Sequence, residues 1–592
     1  MRLRRSWIIP LAQIAILDAG SRADGPPIDR FAMARELGVA DVMFPSKAPA
    51  DPPPAVAEYD LVLLDGRIVD GTGNAWFLGD VAIRGDTIAR IAPAGQLRDA
   101  PAKLRIDASN RVVAPGFIDI QSHSRDALLE GDGRVVGKVT QGVTTEILGE
   151  GESNAPSKRF DGPRGFDAWL RAMKRHGGSV NFGSFLGSQT VRSYVKGMKG
   201  GPPSPAELDR MKKLVRDAIK DGAFGLASAL IYPPDTFVST ADLIALAREM
   251  APGGGVYITH LRSEADGLLE AIDEAIRIGR EGGVPVEIYH LKAAGKRNWD
   301  KARLAIEKIA EARARGQDVG ADMYPYTAGG TGLTACLPPS ASADGKLLEN
   351  LANPATRAAI RREVLNPTSP WENLVELSTP EEVLVLGLEK PDLKKYAGMR
   401  LSEIARVEGK LWVDTAMDLL LTERQRIGTI YFMMSEENLR LQLRQPWIKI
   451  GTDAGGHDPE KPDGLVHPRS YGTYPRILGK YVREEGVLSL EDAVRKMTSA
   501  VAARLSIRDR GLLREGYRAD LVVFDPATIG DRATYESPHR ISVGVRDVFV
   551  NGEAVVRDGK HTGALPGRIL RGPGYRAQGE PATPSRTGGM AP

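Results

Sequence analysis

Two histidines, His260 and His290, each close a β-rich run, VYITH and VEIYH, and one strand–helix unit lies between them. On neighbouring parallel strands that spacing brings two imidazoles to one rim. Imidazole is the commonest protein ligand for a metal, and two on rigid strands suit Zn–N bonds of ~2.0–2.1 Å. The plain alternative is two hydrogen-bonded histidines capping strands. With only eight histidines in 592 residues, a pair at equivalent strand ends favours the metal. Asp453 follows another such run, IKIGTD, and precedes Ala-Gly-Gly. It reads either as a turn-forming Asx residue or, at the same mouth, as a general base for metal-activated water.

The elements that must carry these residues follow from the pattern around them. Eight β-rich runs, 111–120, 144–149, 180–187, 223–229, 255–260, 284–290, 317–324 and 447–453, alternate with helical stretches. Between the fifth and sixth, Leu268, Leu269, Ile272, Ala275, Ile276 and Gly279 recur at helical spacing, the mark of a βαβ crossover. Eight strands with helical links predict an α/β fold, a (β/α)8 TIM barrel with its active site at the C-terminal strand ends. Several of those ends are polar: QSHS, GEGES, THLR, YHLK, MYPY and TDAGG. The connection from strand seven to strand eight, about 330–446, is too long for a loop. It holds the helical stretches ATRAAIRREVL and VDTAMDLLLTERQ and reads as an inserted subdomain.

Short strands separated by Gly, Asp and Asn turns occupy both ends of the folded chain, YDLVLLDGRIVDG to RVVAP and GYRADLVVFDP to VFVNGEAVVRDGK. Neither set is large enough for its own core, so the two are expected to pair into one β-sandwich. The resulting division is 58–114 and 508–572 for the sandwich, 115–507 for the barrel and 573–592 for a disordered tail. Residues 1–57 form an N-terminal extension. Its start, MRLRR followed by WIIPLAQIAIL, has the basic and apolar parts of a secretory signal, which Pro10, Gln13 and Asp18 weaken. The location reads as cytoplasmic, and as periplasmic or secreted if that signal functions.

Composition sets outer limits. Lys+Arg 79 against Asp+Glu 76 leaves a net charge of +3, too little for the basic footprint of nucleic-acid binding. A single cysteine, Cys336, excludes an intrachain disulfide and any multi-cysteine metal site. No window reaches the ~18 uninterrupted apolar residues of an integral membrane span. Oligomeric state is not legible.

The run EYDLVLLDGRIVDGTG, RVVAPGFID, QGVTTE, the strand-end His260 and His290, YPPDTF, HLKAAG, DMYPYTAGGTGL, GTDAGG, HPRSYGTYPRILG and GYRADLVVFDP together resemble the amidohydrolase superfamily. Within it the chain resembles the D-aminoacylase, or N-acyl-D-amino-acid deacylase, branch, from about Tyr59 to Arg571. The resemblance implies a zinc-dependent barrel hydrolysing the amide of N-acyl-D-amino acids. It places His260 and His290 on zinc histidines and Asp453 on the catalytic carboxylate. It also places Lys292 and Arg469 on residues holding the substrate carboxylate, and Tyr232 and Tyr326 near the substrate.

Two positions depart from that pattern. Where the superfamily's first strand ends in His-x-His, this chain has Gln121-Ser122-His123. An amide is a poor zinc ligand beside imidazole, so a second metal there should be weak or missing, and one zinc per chain is expected. The branch also carries a cysteine ligand after the second strand, where this chain reads Gly149-Glu150-Gly151-Glu152. Glu150 is the expected substitute, with Glu146 and Glu152 as competitors. The expected chemistry is attack of metal-activated water on the acyl carbonyl, with Asp453 taking its proton and passing it to the leaving amine, and Tyr232 or His123 supporting the oxyanion. The alternatives are a cyclic-amide hydrolase of the dihydropyrimidinase or dihydroorotase kind, a D-residue dipeptidase, and a metal-free scaffold. The first needs a lysine on strand four, and AFGLASALIYPP has none.

Overall fold

The computed structural model describes residues 59–368, 371–462 and 464–577. The extension 1–57 with its signal-like start, and the tail beyond 577, lie outside the described residues.

All eight β-rich runs of the central region form strands: Phe117–Asp119, Val143–Leu148, Asn181–Ser184 continued by Leu186–Gly187, Gly225–Ala229, Val256–His260, Val286–Ile288, Val319–Met323 and Ile448–Ile450. Every pairing among them is parallel and follows chain order, in an arc of three strands and an arc of six. The arcs meet in the third strand, where Phe185 alone separates the two pieces and donates its N–H to Leu148 O at 2.8 Å. At the far edges Asp453 N–H donates to Gln121 O at 2.8 Å, and Ser122 bridges to Ala454. The second strand, VTTEIL, is buried at all six positions. Burial on both faces is why such strands read as continuous runs rather than as alternation.

Helices pack against these strands. The one expected between strands five and six spans Leu268–Gly282 and buries Leu268, Ala271, Ile272, Ala275, Ile276 and Gly279. Gly279 is needed there because a Cβ would meet Val286 Cγ2 at 2.2 Å, so the helix backbone lies directly on the sixth strand.

The strands from the two chain ends do join. Leu521–Phe524 runs antiparallel to Val112–Pro115, which also pairs with Tyr59–Ile68. The expected sandwich is a single nine-stranded hydrogen-bonded sheet, because Val112–Pro115 ties both halves into one ladder. Leu61, Val81 and Ile88 from one half share a core with Leu521 and Phe549 from the other.

The insertion has its own three-stranded antiparallel sheet, Ala328–Gly332, Val383–Val385 and Gly428–Phe432, and its own core around Leu351, Ile404, Met417 and Tyr431. It ends earlier than the expected residue 446. The helix Glu436–Leu443 buries Leu439 and Leu443 in the core of the parallel strands, as the crossover helix that a parallel eighth strand requires. The first residues assigned to the tail are also placed against the fold: Tyr575 N–H donates to Gly572 O at 3.1 Å and Arg576 N–H to Lys220 O at 2.9 Å. Among the described residues, no helix is long and apolar enough to cross a membrane.

Candidate metal centre

Strand ends bring the polar residues together, and local backbone aims them. Gly149 leaves the second strand at φ 106°, and a Cβ there would meet Phe185 O at 2.3 Å. Only glycine makes this turn, which carries Glu150 toward the ends of the neighbouring strands. His290 sits at φ 33° and Asp453 at φ 50°, two non-glycine residues in the left-handed region. Such conformations cost roughly 1–3 kcal/mol each and persist only where neighbours hold them. Asp322, one residue before the end of the seventh strand, accepts His290 N–H through Oδ1 at 2.8 Å, and the bond from Asp453 N–H to Gln121 O holds the other.

Glu150 Oε1 lies 3.3 Å from His260 Nδ1 and 3.1 Å from His290 Nε2. Tetrahedral zinc with bonds of ~2.0–2.2 Å separates its ligand atoms by about 3.3–3.5 Å, so these three atoms fit one metal ion. Two imidazole nitrogens and a carboxylate oxygen are also the donor set of catalytic zinc, which leaves one position for water. The competing carboxylates are placed elsewhere. Glu146 is wholly buried, accepts Ser124 Oγ at 3.0 Å and lies 3.4 Å from Lys138 Nζ, while Glu152 is largely exposed and faces Arg125.

The other oxygen of Glu150 faces the first strand. Gln121 Nε2 donates to Glu150 Oε2 at 2.5 Å, and His123 Nε2 lies 3.3 Å from the same atom. Burial pushes the Glu150 carboxyl up, but His290, His123 and His260 around it hold it well below the usual range, so it is an anion.

Asp453 stands between a cation and an imidazole. Its Oδ2 pairs with Arg469 Nη1 at 2.7 Å and its Oδ1 lies 2.9 Å from His123 Nε2. Burial raises its pKa, but the Arg469 guanidinium, with help from His123 and His290, holds the carboxyl below the usual aspartate range. Arg469, at the start of helix Arg469–Arg476, is buried, stacks 4.5 Å over the Tyr324 ring and donates to Gly330 O at 3.3 Å. Lys292 is buried too, with Nζ 2.6 Å from Glu264 Oε1 and 2.7 Å from His290 Nδ1.

Beneath the rim a buried network joins the first and eighth strands. Lys138 Nζ donates to Asp119 Oδ2 at 2.7 Å and to Thr452 Oγ1 at 2.5 Å. Asp119 also accepts Thr452 N–H at 2.9 Å. A buried charge is tolerated only when paired and hydrogen-bonded, and here that requirement sets the register between Gln121 and Asp453.

Of the two expected tyrosines, Tyr232 lies at the site, its ring 5.3 Å from that of His260 and its hydroxyl donating to Thr331 of the inserted sheet at 2.9 Å. Tyr326 does not. Its hydroxyl reaches Asp531 at 3.4 Å and its ring lies under Arg476. Tyr324, two residues earlier, is the tyrosine that faces Arg469, Lys292 and His290. The bend at Pro325 breaks strand alternation and turns the two tyrosines apart. Sequence reasoning missed Glu264 as well, whose one signal was a carboxylate four residues past a strand-end histidine.

A family model described as "Amidohydrolase family" matches residues 401–556. D-aminoacylase of Alcaligenes xylosoxydans xylosoxydans is 36% identical over 527 residues, 86% of this chain and 97% of its own. A crystal structure of D-aminoacylase superposes with a TM-score of 0.73 at 34% identity, covering 87% of this chain and 100% of that one. N-acyl-D-glutamate deacylase of Bordetella bronchiseptica, complexed with zinc and a phosphonate mimic of the tetrahedral intermediate, gives 0.72 at 29%, with 87% and 100% covered. The chain belongs to the D-aminoacylase branch of the amidohydrolase family.

Proposed function

We propose that this protein is a metal-dependent hydrolase that cleaves the amide bond of N-acyl-D-amino acids, with one zinc ion held by Glu150, His260 and His290. The observation that carries the reading is Glu150 Oε1 within 3.3 Å of both imidazole nitrogens, with the Asp453–Arg469 pair beside it. The activity named for its relatives, and the zinc and phosphonate bound to one of them, support it. We also read the two arcs of parallel strands as one closed (β/α)8 barrel, on the strength of the Asp453–Gln121 hydrogen bond. In that reading 115–507 is the catalytic domain and 58–114 with 508–572 the accompanying sheet domain.

When bound, the metal supplies Lewis acidity for the acyl carbonyl and lowers the pKa of water toward ~7. The remaining work belongs to side chains. Arg469 presents a planar guanidinium to the substrate carboxylate, and Lys292, which also faces the Tyr324 ring, adds a second cation. Fixing that carboxylate places the amide between Glu150 and Asp453. Asp453 takes the proton from the attacking water, then delivers it to the amine nitrogen as the C–N bond breaks. His123, hydrogen-bonded to Asp453, holds the base in place, and Tyr232 forms the wall against the insertion.

A panel of N-acetyl-D- and N-acetyl-L-amino acids, assayed for free amine with zinc-loaded protein, tests the reading. Release from D-substrates in preference to their L-enantiomers is expected. No release from any D-substrate, or equal release from both series, would overturn it.

A further inference from the structure

Glu264 lies in the loop leaving the fifth strand, buried, behind the two histidines. Its Oε1 is 3.0 Å from His290 Nδ1 and its Oε2 is 3.5 Å from His260 Nε2. The opposite nitrogens of the same rings, His290 Nε2 and His260 Nδ1, face Glu150. Each ring therefore turns one nitrogen to Glu150 and the other to Glu264. His260 Nε2 is buried with no hydrogen-bond partner among the described residues, so the carboxylate oxygen nearest it is its natural acceptor.

A neutral imidazole that gives one lone pair to a metal keeps its proton on the other nitrogen. Both ring protons then point at a single carboxylate. Lys292 depends on that carboxylate too. Its ammonium is 2.7 Å from His290 Nδ1, and it cannot donate to a nitrogen that already carries a proton. Glu264 Oε1 at 2.6 Å is the acceptor that remains.

We infer that Glu264 is a positioning residue for the metal centre, fixing the tautomer and orientation of both His260 and His290 and holding Lys292 beside them. The inference rests on the proposed metal site and deepens it. Glu264 is itself held from the insertion. One oxygen of Glu372 accepts Ser263 Oγ at 2.5 Å, Glu264 N–H at 2.6 Å and Ala265 N–H at 2.8 Å. Its other oxygen is buried without a partner among the described residues. Arg297 fastens the same loop to the insertion by joining Asp266 at 2.9 Å to Glu376 at 2.6 Å. The insertion thus reaches the metal ligands through Glu372 and Glu264 without supplying a ligand.

The test uses the full chain stripped of metal with a chelator. Zinc affinity is measured by chelator competition, and Co(II) visible spectra are recorded, for wild type, Glu264→Gln and Glu372→Gln. Partners that orient metal ligands are typically worth 10–100-fold in affinity. Glu264→Gln should bind zinc at least tenfold more weakly with an altered Co(II) spectrum, and Glu372→Gln should shift both in the same direction by less. Wild-type affinity and spectrum in a folded Glu264→Gln would overturn the inference. If that variant does not fold, Glu372→Gln decides, and an unchanged affinity and spectrum there overturns it. A wild type that takes up no metal would instead refute the proposed function.

Discussion

Gln121 and Glu150 are joined by a 2.5 Å hydrogen bond from Nε2 to Oε2, on the side of Glu150 facing away from His260 and His290. One oxygen of Glu150 serves the histidine pair and the other is held by an amide. His123 and Asp453 also lie around that second oxygen, within reach of a second ion. What that second position lacks is an imidazole where Gln121 stands.

Wild type should therefore retain about one zinc per chain after dialysis, and Gln121→His should retain more than one. Metal analysis by mass spectrometry reads this directly. Two tightly held ions in wild type would contradict it.

Glu150→Ala removes a ligand, whereas Glu152→Ala removes an exposed carboxylate facing Arg125. Loss of a partner that merely orients a ligand costs ~10–100-fold, so loss of the ligand itself should cost at least ~100-fold in zinc affinity and in activity. Glu152→Ala should keep most of both. Equal zinc content in the two variants would point to another third ligand.

Arg469→Ala should raise KM and lower kcat while leaving zinc content unchanged, since Arg469 touches no ligand. It should also lower stability by about 3–5 kcal/mol, because it removes the guanidinium from a buried ion pair and leaves Asp453 with His123 alone beside it. Arg469→Lys separates the two effects, keeping the charge and losing the planar fork. An Arg469→Ala enzyme with wild-type KM would remove the carboxylate-holding role.

Asp235, in YPPDTF, is buried and accepts the Ser188 hydroxyl and Ala229 N–H. Burial pushes its carboxyl up to about 7, against the opposing effect of those two bonds. An unfolded Asp titrates near ~3.9, so the folded protein binds this proton more tightly. The stabilisation is complete below about pH 4 and is lost as pH rises to about 7. Asp235→Asn should lose less thermal stability than wild type between pH 5 and pH 8, measured by calorimetry. Parallel pH profiles would contradict this.

The parallel strands and the residues at their ends were legible because burial on both faces concentrates apolar residues and leaves the polar ones at the mouth. Glu150 was legible as the carboxylate directly after a strand. Glu264 was not, since a Glu in a loop after Arg and Ser reads as solvated, and only burial shows otherwise. Lys138 is hidden for the same reason, a lysine on the four-residue helix Val136–Val139 that is wholly buried. Tyr324 and Tyr326 occupy equivalent places in the sequence pattern, and a bend at one proline separates them. The end of the insertion was misplaced because Glu436–Leu443 resembles the helices before it, and only packing assigns it to the parallel strands.

The most direct measurement is a zinc titration of chelator-stripped protein with an N-acetyl-D-amino acid as substrate. Release of the D-amino acid should be absent at the start, rise in proportion to added zinc and level off at about one equivalent. Activity that survives stripping, or that needs a second equivalent to appear, would contradict a single metal ion held by Glu150, His260 and His290.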